Sequence, residues 1–374
     1  MFKKIVAVLL SLVLLGAFAA CNKDKVDTDE VVPSEKKVAV IVAPQAQYPE
    51  EYLAAQALAK DYSNVVVKVL EGDTRVLKAG NMEVMTVAEE LAKDAEIGAI
   101  IFDRTIQQSY NAIQLAKAAN PEIVTICIEP EDQLGRVAAL ANAVFCVDWQ
   151  LAANDIVAKA KSLGAEYFVC FANNRYLQNE LDSDAVGYFE AACAEQGVTY
   201  VYDNAYDTNS SGGFSKAQLY IKEADARLIQ NNKIAGTNVC YFSFDSAIQT
   251  TLIELANAKG YIYVAPSFPT AYNGICEAYS VDVNTDAKDI VTACQTAAEG
   301  AKGKFAYYNY TLGTTLLRAA LYTAYDILNG TTTADNIAEK GVMRLYVDDN
   351  SDELKGAVYS DVFTNVIKAY KSAF

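Results

Sequence analysis

Residues 97–130, IGAIIFDRTIQQSYNAIQLAKAANPEIVTICIEP, place an apolar run, a stretch of helical spacing and a second apolar run in direct succession. IGAIIFD (97–103) and EIVTICIEP (122–130) are rich in β-branched residues and do not alternate apolar with polar side chains. That is the pattern of strands covered on both faces. QQSYNAIQLAKAA (107–119) between them has the spacing of a helix. Two such strands joined by a helix make a parallel pair, because a right-handed crossover returns the chain to the same end of the sheet.

Reading outward, the same rhythm extends both ways. VAVIVAP (38–44), NVVVKVL (64–70) and AVFCVDW (143–149) read as strands, with helices predicted over 50–62 and 82–95. The rhythm then restarts. Helices are expected at 150–164, 185–197, 216–230 and 247–260, and strands at 166–173, 198–204, 238–244 and 261–266. The remainder suggests helices near 286–299 and 313–329, a strand at VMRLYV (342–347) and a terminal helix near 356–371. These pieces are too few for a third domain. The expected architecture is α/β: two doubly wound parallel-sheet lobes joined by a hinge. The first lobe is expected to hold residues 37–148 plus about 281–330, and the second 149–280 plus about 331–374.

The leader MFKKIVAVLLSLVLLGAFAAC sets Lys3 and Lys4 before an apolar stretch, Ile5 to Ala20, and ends it at Cys21. A charged start, a short apolar run and a small-residue pair have the grammar of an export signal. The run is short for a ~30 Å hydrocarbon core. A cysteine after Ala19 and Ala20 resembles a bacterial lipobox, with Phe18 replacing the usual Leu, and implies acylation of Cys21 and anchoring to a membrane. An ordinary signal that leaves Cys21 as a free thiol is the alternative. Residues 22–36 read as a flexible tether.

Two tandem α/β lobes, a tail that revisits both and a lipoprotein-like leader together resemble the type I periplasmic-binding-protein fold. The stretch IIFDRTIQQSYNAIQLAKAANPEIVTICIEPED (100–132) also looks like a family of bacterial lipoproteins of undetermined function. The resemblance implies an extracytoplasmic solute receptor that serves an ABC-type importer or a sensor, with a small molecule held between lobes that close on a hinge. It implies no cofactor and a monomer.

Composition narrows the chemistry. The chain has 374 residues and a net charge of −16, which excludes a nucleic-acid footprint. There is no histidine, so the commonest general base and metal ligand are missing. No GxGxxG follows a strand, and neither GxxxxGK[ST] nor GxSxG occurs. DVNTDAKD (282–289) has alternating acids but lacks the glycine and terminal glutamate of a calcium loop. The expectation is therefore a protein that is not an enzyme; a pair of carboxylates, Glu129 and Asp103, is the one acid–base alternative. Of the eight cysteines, Cys127, Cys146, Cys170 and Cys240 sit inside apolar runs and read as buried thiols.

In open α/β sheets ligands gather at the carboxyl ends of strands. In the first lobe those ends carry Gln45 and Tyr48, Asp103 and Arg104, Glu129, and Asp148 with Trp149. In the second they carry Asn173 and Arg175, Tyr206 and Asp207, Asp245, and Phe268 with Tyr272. Asp103 offers an acceptor and Arg104 a planar fork; either pair member equally suits a salt bridge or a helix cap. Trp149 suits stacking on a ring or packing at the hinge, and Arg175 a clamp or a solvated helix start. The set fits a nucleoside or sugar, with an amino acid as the alternative ligand. A sensory or scaffolding ectodomain that binds a partner protein is the rival class.

Overall fold

The runs without a solvent-facing alternation become strands without a solvent face. In β1 (Lys37–Val42), β3 (Ile97–Phe102), β4 (Val124–Ile128) and β5 (Ala143–Val147) nearly every residue is buried. The same holds for β6 (Tyr167–Ala172), β8 (Val239–Ser243) and β9 (Ile262–Val264). The computed structural model of the protein describes residues 32–72, 80–104, 106–130, 132, 134–147, 149–173, 183–208, 210–243, 245–266, 272–280, 304–308, 312–333, 358–359 and 367–370.

Between the strands of the first half run α1 (Pro49–Asp61), β2 (Val65–Val69), α2 (Gly80–Lys93), α3 (Ser109–Ala119) and α4 (Leu134–Leu140). The second half contains α5 (Trp149–Ser162), α6 (Ser183–Gln196), β7 (Thr199–Asn204), α7 (Gly213–Lys222), α8 (Ala224–Gln230), α9 (Ser246–Lys259) and α10 (Tyr272–Tyr279). Then come β10 (Lys304–Tyr308), α11 (Leu312–Leu328), β11 (Val358–Tyr359) and β12 (Ile367–Tyr370). The first sheet has the order β12-β5-β4-β3-β1-β2 and the second β11-β10-β9-β8-β6-β7. Every pairing is parallel except β12 against β5. In each lobe the strand order reverses once, between β1 and β3 and between β6 and β8, and those gaps are the switch points.

Covering helices supply the core. On one face of the first sheet Ala39, Ile41 and Phe102 pack with Val84, Ile113 and Val137 from the helices. On one face of the second, Phe171, Tyr241 and Tyr263 pack with Ile221 and Leu252. Cys127, Cys146, Cys170, Cys193, Cys240 and Cys276 are free thiols, all buried. Burial pushes the Cys170 and Cys193 thiols up to about 12, so they behave as small hydrophobes.

The tail departs from the expected division. Residues 304–308 belong to the second sheet, where Lys304 pairs with Ile262 and Phe305 with Tyr263. Residues 367–370 belong to the first sheet, where Ile367 pairs with Val147. The terminal segment forms the strands β11 and β12 where the sequence suggested a helix, because β5 and β10 each offer an unpaired edge and tertiary pairing overrides local propensity. α11 packs on α1 and over β3 and β4, so after β10 the chain is back at the first lobe. Tyr325 Oη donates to Asn64 Oδ1 at 2.7 Å, and the Tyr62 and Tyr322 hydroxyls meet at 3.1 Å, tying α11 to the α1–β2 turn.

One glycine records how closely α11 approaches. A Cβ on Gly98 would lie 2.7 Å from Lys36 Cβ and 2.9 Å from Leu328 Cδ2. Gly98→Ala is expected to cost about 1–3 kcal/mol through overpacking, read as a lower urea midpoint with an unchanged slope. Wild-type stability would mean that α11 does not press on the start of β3.

Candidate functional site

Asp103 and Arg104 leave the carboxyl end of β3, and the Asp103 N–H donates to the Ile41 carbonyl at 3.1 Å, which pins the pair at the first switch point. α1 starts nearby with Pro49 at its first turn, followed by Glu50 and Glu51. Proline preorganises that turn, and acids there complement the helix dipole. Folding buries all four charged groups: Asp103 is 3% exposed, Glu51 4%, Glu50 7% and Arg104 8%. Arg104 Nη1 pairs with Glu51 Oε1 at 3.0 Å, and the guanidinium lies over the Tyr48 ring, 4.8 Å from its centroid. Burial opposes the guanidinium charge, but Glu51, Tyr48, Glu50 and Asp103 together hold Arg104 above its usual value.

The roof of this cluster comes from far along the chain. A Cβ on Gly313, in the first turn of α11, would lie 2.7 Å from Glu50 Oε1 and 3.2 Å from Glu51 Oε1. Only a residue without a side chain lets the helix start settle on the two carboxylates. Three atoms of the cluster, Glu50 Oε1, Arg104 Nε and Asp103 Oδ1, are buried without a hydrogen bond among the described residues. Burial pushes the Asp103 carboxyl well above the usual range, and Glu51 and Glu50 add to the shift, opposed by the Arg104 N–H and charge.

The second switch point is satisfied. Asp245 caps α9 by accepting from Ala247 N–H at 3.0 Å, and its Oδ2 accepts from Thr208 Oγ1 at 2.6 Å and Asn173 Nδ2 at 3.5 Å. Asn173 and Asp245 are both buried. α10 touches α1, so the lobes meet beside the first-lobe cluster.

The structure therefore unites Tyr48, Asp103 and Arg104 in one cluster and Asn173 and Asp245 in another. Gln45 is half-buried in the turn after β1. Glu129 is diverted: its Oε1 accepts from the Val147 N–H, clamping the ends of β4 and β5 in a backbone of positive φ. Trp149 is buried at the start of α5. Tyr206 is 51% exposed and packs edge-on against Tyr220. The Asp207 carbonyl accepts from Ser210 N–H and Oγ in the tight loop before α7. Asp148, Arg175 and Phe268 lie outside the described residues, as do Cys21 and the side chain of Tyr272.

Sequence reasoning missed Glu50 and Glu51, Thr208, and Asp132. Asp132 accepts from Ser109 Oγ at 2.7 Å and Tyr110 N–H at 3.0 Å, anchoring the start of α3. A groove of about 440 Å³ lined by Val186, Glu190, Tyr200, Tyr202 and Lys233 runs along the edge strand β7, and none of the switch-point residues lines it.

Replacing Asp103 by Asn keeps its shape and removes the buried charge. A carboxyl whose folded pKa is raised contributes its full stability below the unfolded value near 3.8 and loses it as pH rises toward the folded value. Asp103→Asn should therefore match wild type near pH 4 and exceed it by about 1–3 kcal/mol at neutral pH. Thermal melts of both proteins across pH 4–8 check this; a destabilised variant at neutral pH would contradict it.

The architecture is that of known solved structures. A protein from Clostridium difficile 630 assigned as a transcriptional regulator shares 16% identity, with a TM-score of 0.70 over 90% of this chain and 98% of its own. A sugar ABC transporter structure from Actinomyces odontolyticus shares 11% identity, with a TM-score of 0.52 over 90% of this chain and 95% of its own. At such identities the likeness establishes the type I periplasmic-binding-protein-like fold. No curated protein matches the chain. The family model described as "Protein of unknown function (DUF3798)" matches residues 36–306, and the chain belongs to that family.

Proposed function

We propose that the protein is an extracytoplasmic solute receptor, tethered to a membrane through lipid on Cys21, that captures a small polar molecule between its lobes and hands it to an ABC-type importer. The observation that carries this reading is the pair of switch points, each holding buried polar side chains at the carboxyl ends of its strands: Asp103 with Arg104, and Asn173 with Asp245. A solute that touches both faces stabilises the closed form, and only that differential contact drives closure. No covalent step is involved in this reading. A nucleoside or sugar is the first ligand class for a site rich in acceptors and flanked by Tyr48, and an amino acid the second. Arg104 is a weaker carboxylate clamp than its sequence position suggested, since Glu51 already pairs with it.

Two experiments test the reading. Native mass spectrometry of the full chain, purified in mild detergent and again after unfolding and refolding, should reveal a small-molecule adduct that refolding removes. An empty protein that no nucleoside, sugar or amino acid stabilises would instead favour a scaffold that binds a partner protein. Cys21→Ser should abolish palmitate labelling and release the protein from the membrane fraction; unchanged labelling would place any lipid elsewhere.

A further inference from the structure

β7 closes one side of the second sheet, and its outer edge pairs with no strand among the described residues. It runs six residues in unbroken register with β6, from Thr199 opposite Tyr167 to Asn204 opposite Ala172. Edge strands of that length usually carry a lysine, a proline or a bulge that keeps other chains away. β2, at the same place in the first sheet, carries the exposed Lys68. β7 has none of these; its one charged residue, Asp203, is buried and paired with Arg227. What it presents outward is the Tyr202 ring, 37% exposed. The groove beside this edge has a definite make-up. Val186 and Glu190 stand one turn apart on α6, and the Tyr200 hydroxyl donates to the Val186 carbonyl at 3.4 Å, which holds that ring against the helix. Tyr200 and Tyr202 share a face of β7, since side chains two residues apart point the same way. Lys233 adds the opposite charge to Glu190. Both are exposed, and no ion pair engages either charge among the described residues.

We propose that this groove is a second binding site, for a short extended peptide with both termini free. The peptide backbone pairs with the open edge of β7, its ammonium faces Glu190, its carboxylate faces Lys233, and its side chains lie on Tyr200 and Tyr202. A volume of about 440 Å³ is low in the ~300–1,000 Å³ range of small-molecule sites, which favours a few residues over a long segment. An internal segment of a partner protein brings no terminal charges to Glu190 and Lys233. A second copy of the chain fits worse. Twofold pairing of two β7 edges keeps each sheet face on its own side, so Glu190 of one copy shares a face with the same carboxylate of the other, and each copy carries a net charge of −16. No switch-point residue lines the groove, so this site is separate from the one in the solute-receptor reading.

The test is calorimetry on the full chain at pH 7.5 with trialanine and trileucine, each free, N-acetylated and C-amidated. At least one free peptide is expected to bind, and each cap to weaken it about three- to tenfold. Glu190→Gln should lower affinity for the free peptide and leave that for the acetylated one unchanged; Lys233→Gln should do the same for the free and amidated forms. Both side chains are exposed, so the variants are expected to fold as wild type does, which thermal melts check. Capped peptides that bind as tightly as free ones, binding that neither substitution alters, or no binding by any of the six peptides overturns the assignment. None of these outcomes touches the receptor reading, whose site lies elsewhere.

Discussion

A parallel sheet buried on both faces forces the chain to leave at the carboxyl end of each strand and return through a helix. Charged groups find no place in the interior of β1, β3, β6 or β8, where the neighbours are strands on both sides and helices above and below. They collect where the strands stop. The two reversals of strand order open the gaps in which they collect, and Asp103 with Arg104 and Asn173 with Asp245 occupy those gaps. The solute-receptor reading depends on that constraint, repeated once in each lobe.

The strands were legible because their apolar runs obey it. VAVIVAP, IGAIIFD and EIVTICIEP announce doubly covered strands, and the residues just beyond each one are countable without a structure. The places of Tyr48, Asp103, Arg104, Asn173 and Asp245 beyond the strand ends were read in that way. Glu50 and Glu51 were not, because acids in the first turn of a helix after Pro49 look like ordinary dipole partners at the surface. Their burial comes from Gly313, more than 260 positions later, and no local pattern carries that information. The same non-locality hid the sheet membership of β10 and β12, since which edge a short strand joins is set by the edges left unpaired. Glu129 adds a contact that its place after β4 did not announce: one carboxylate oxygen accepts from the Val147 backbone N–H.

The two switch points differ in how fully their polar groups are satisfied. Asp245 accepts from Ala247, Thr208 and Asn173, and so holds the second lobe's face rigid. The first lobe's face is held by the Arg104–Glu51 pair under the roof of α11, with Asp103 Oδ1, Glu50 Oε1 and Arg104 Nε buried without a hydrogen bond among the described residues. Stability given up at such a place is the usual mark of a site shaped for something other than folding. The buried thiols add no chemistry of their own, because burial keeps them protonated.

The central claim is that the lobes close on a solute at these two faces. Spin labels on cysteines introduced at the exposed positions Met82 in the first lobe and Leu219 in the second report that motion once Cys21 and Cys294 are replaced by serine, while the six buried thiols among the described residues resist labelling. Adding the solute identified by mass spectrometry should shorten and narrow the distance distribution between the labels. A distribution unchanged at saturating solute would contradict the account.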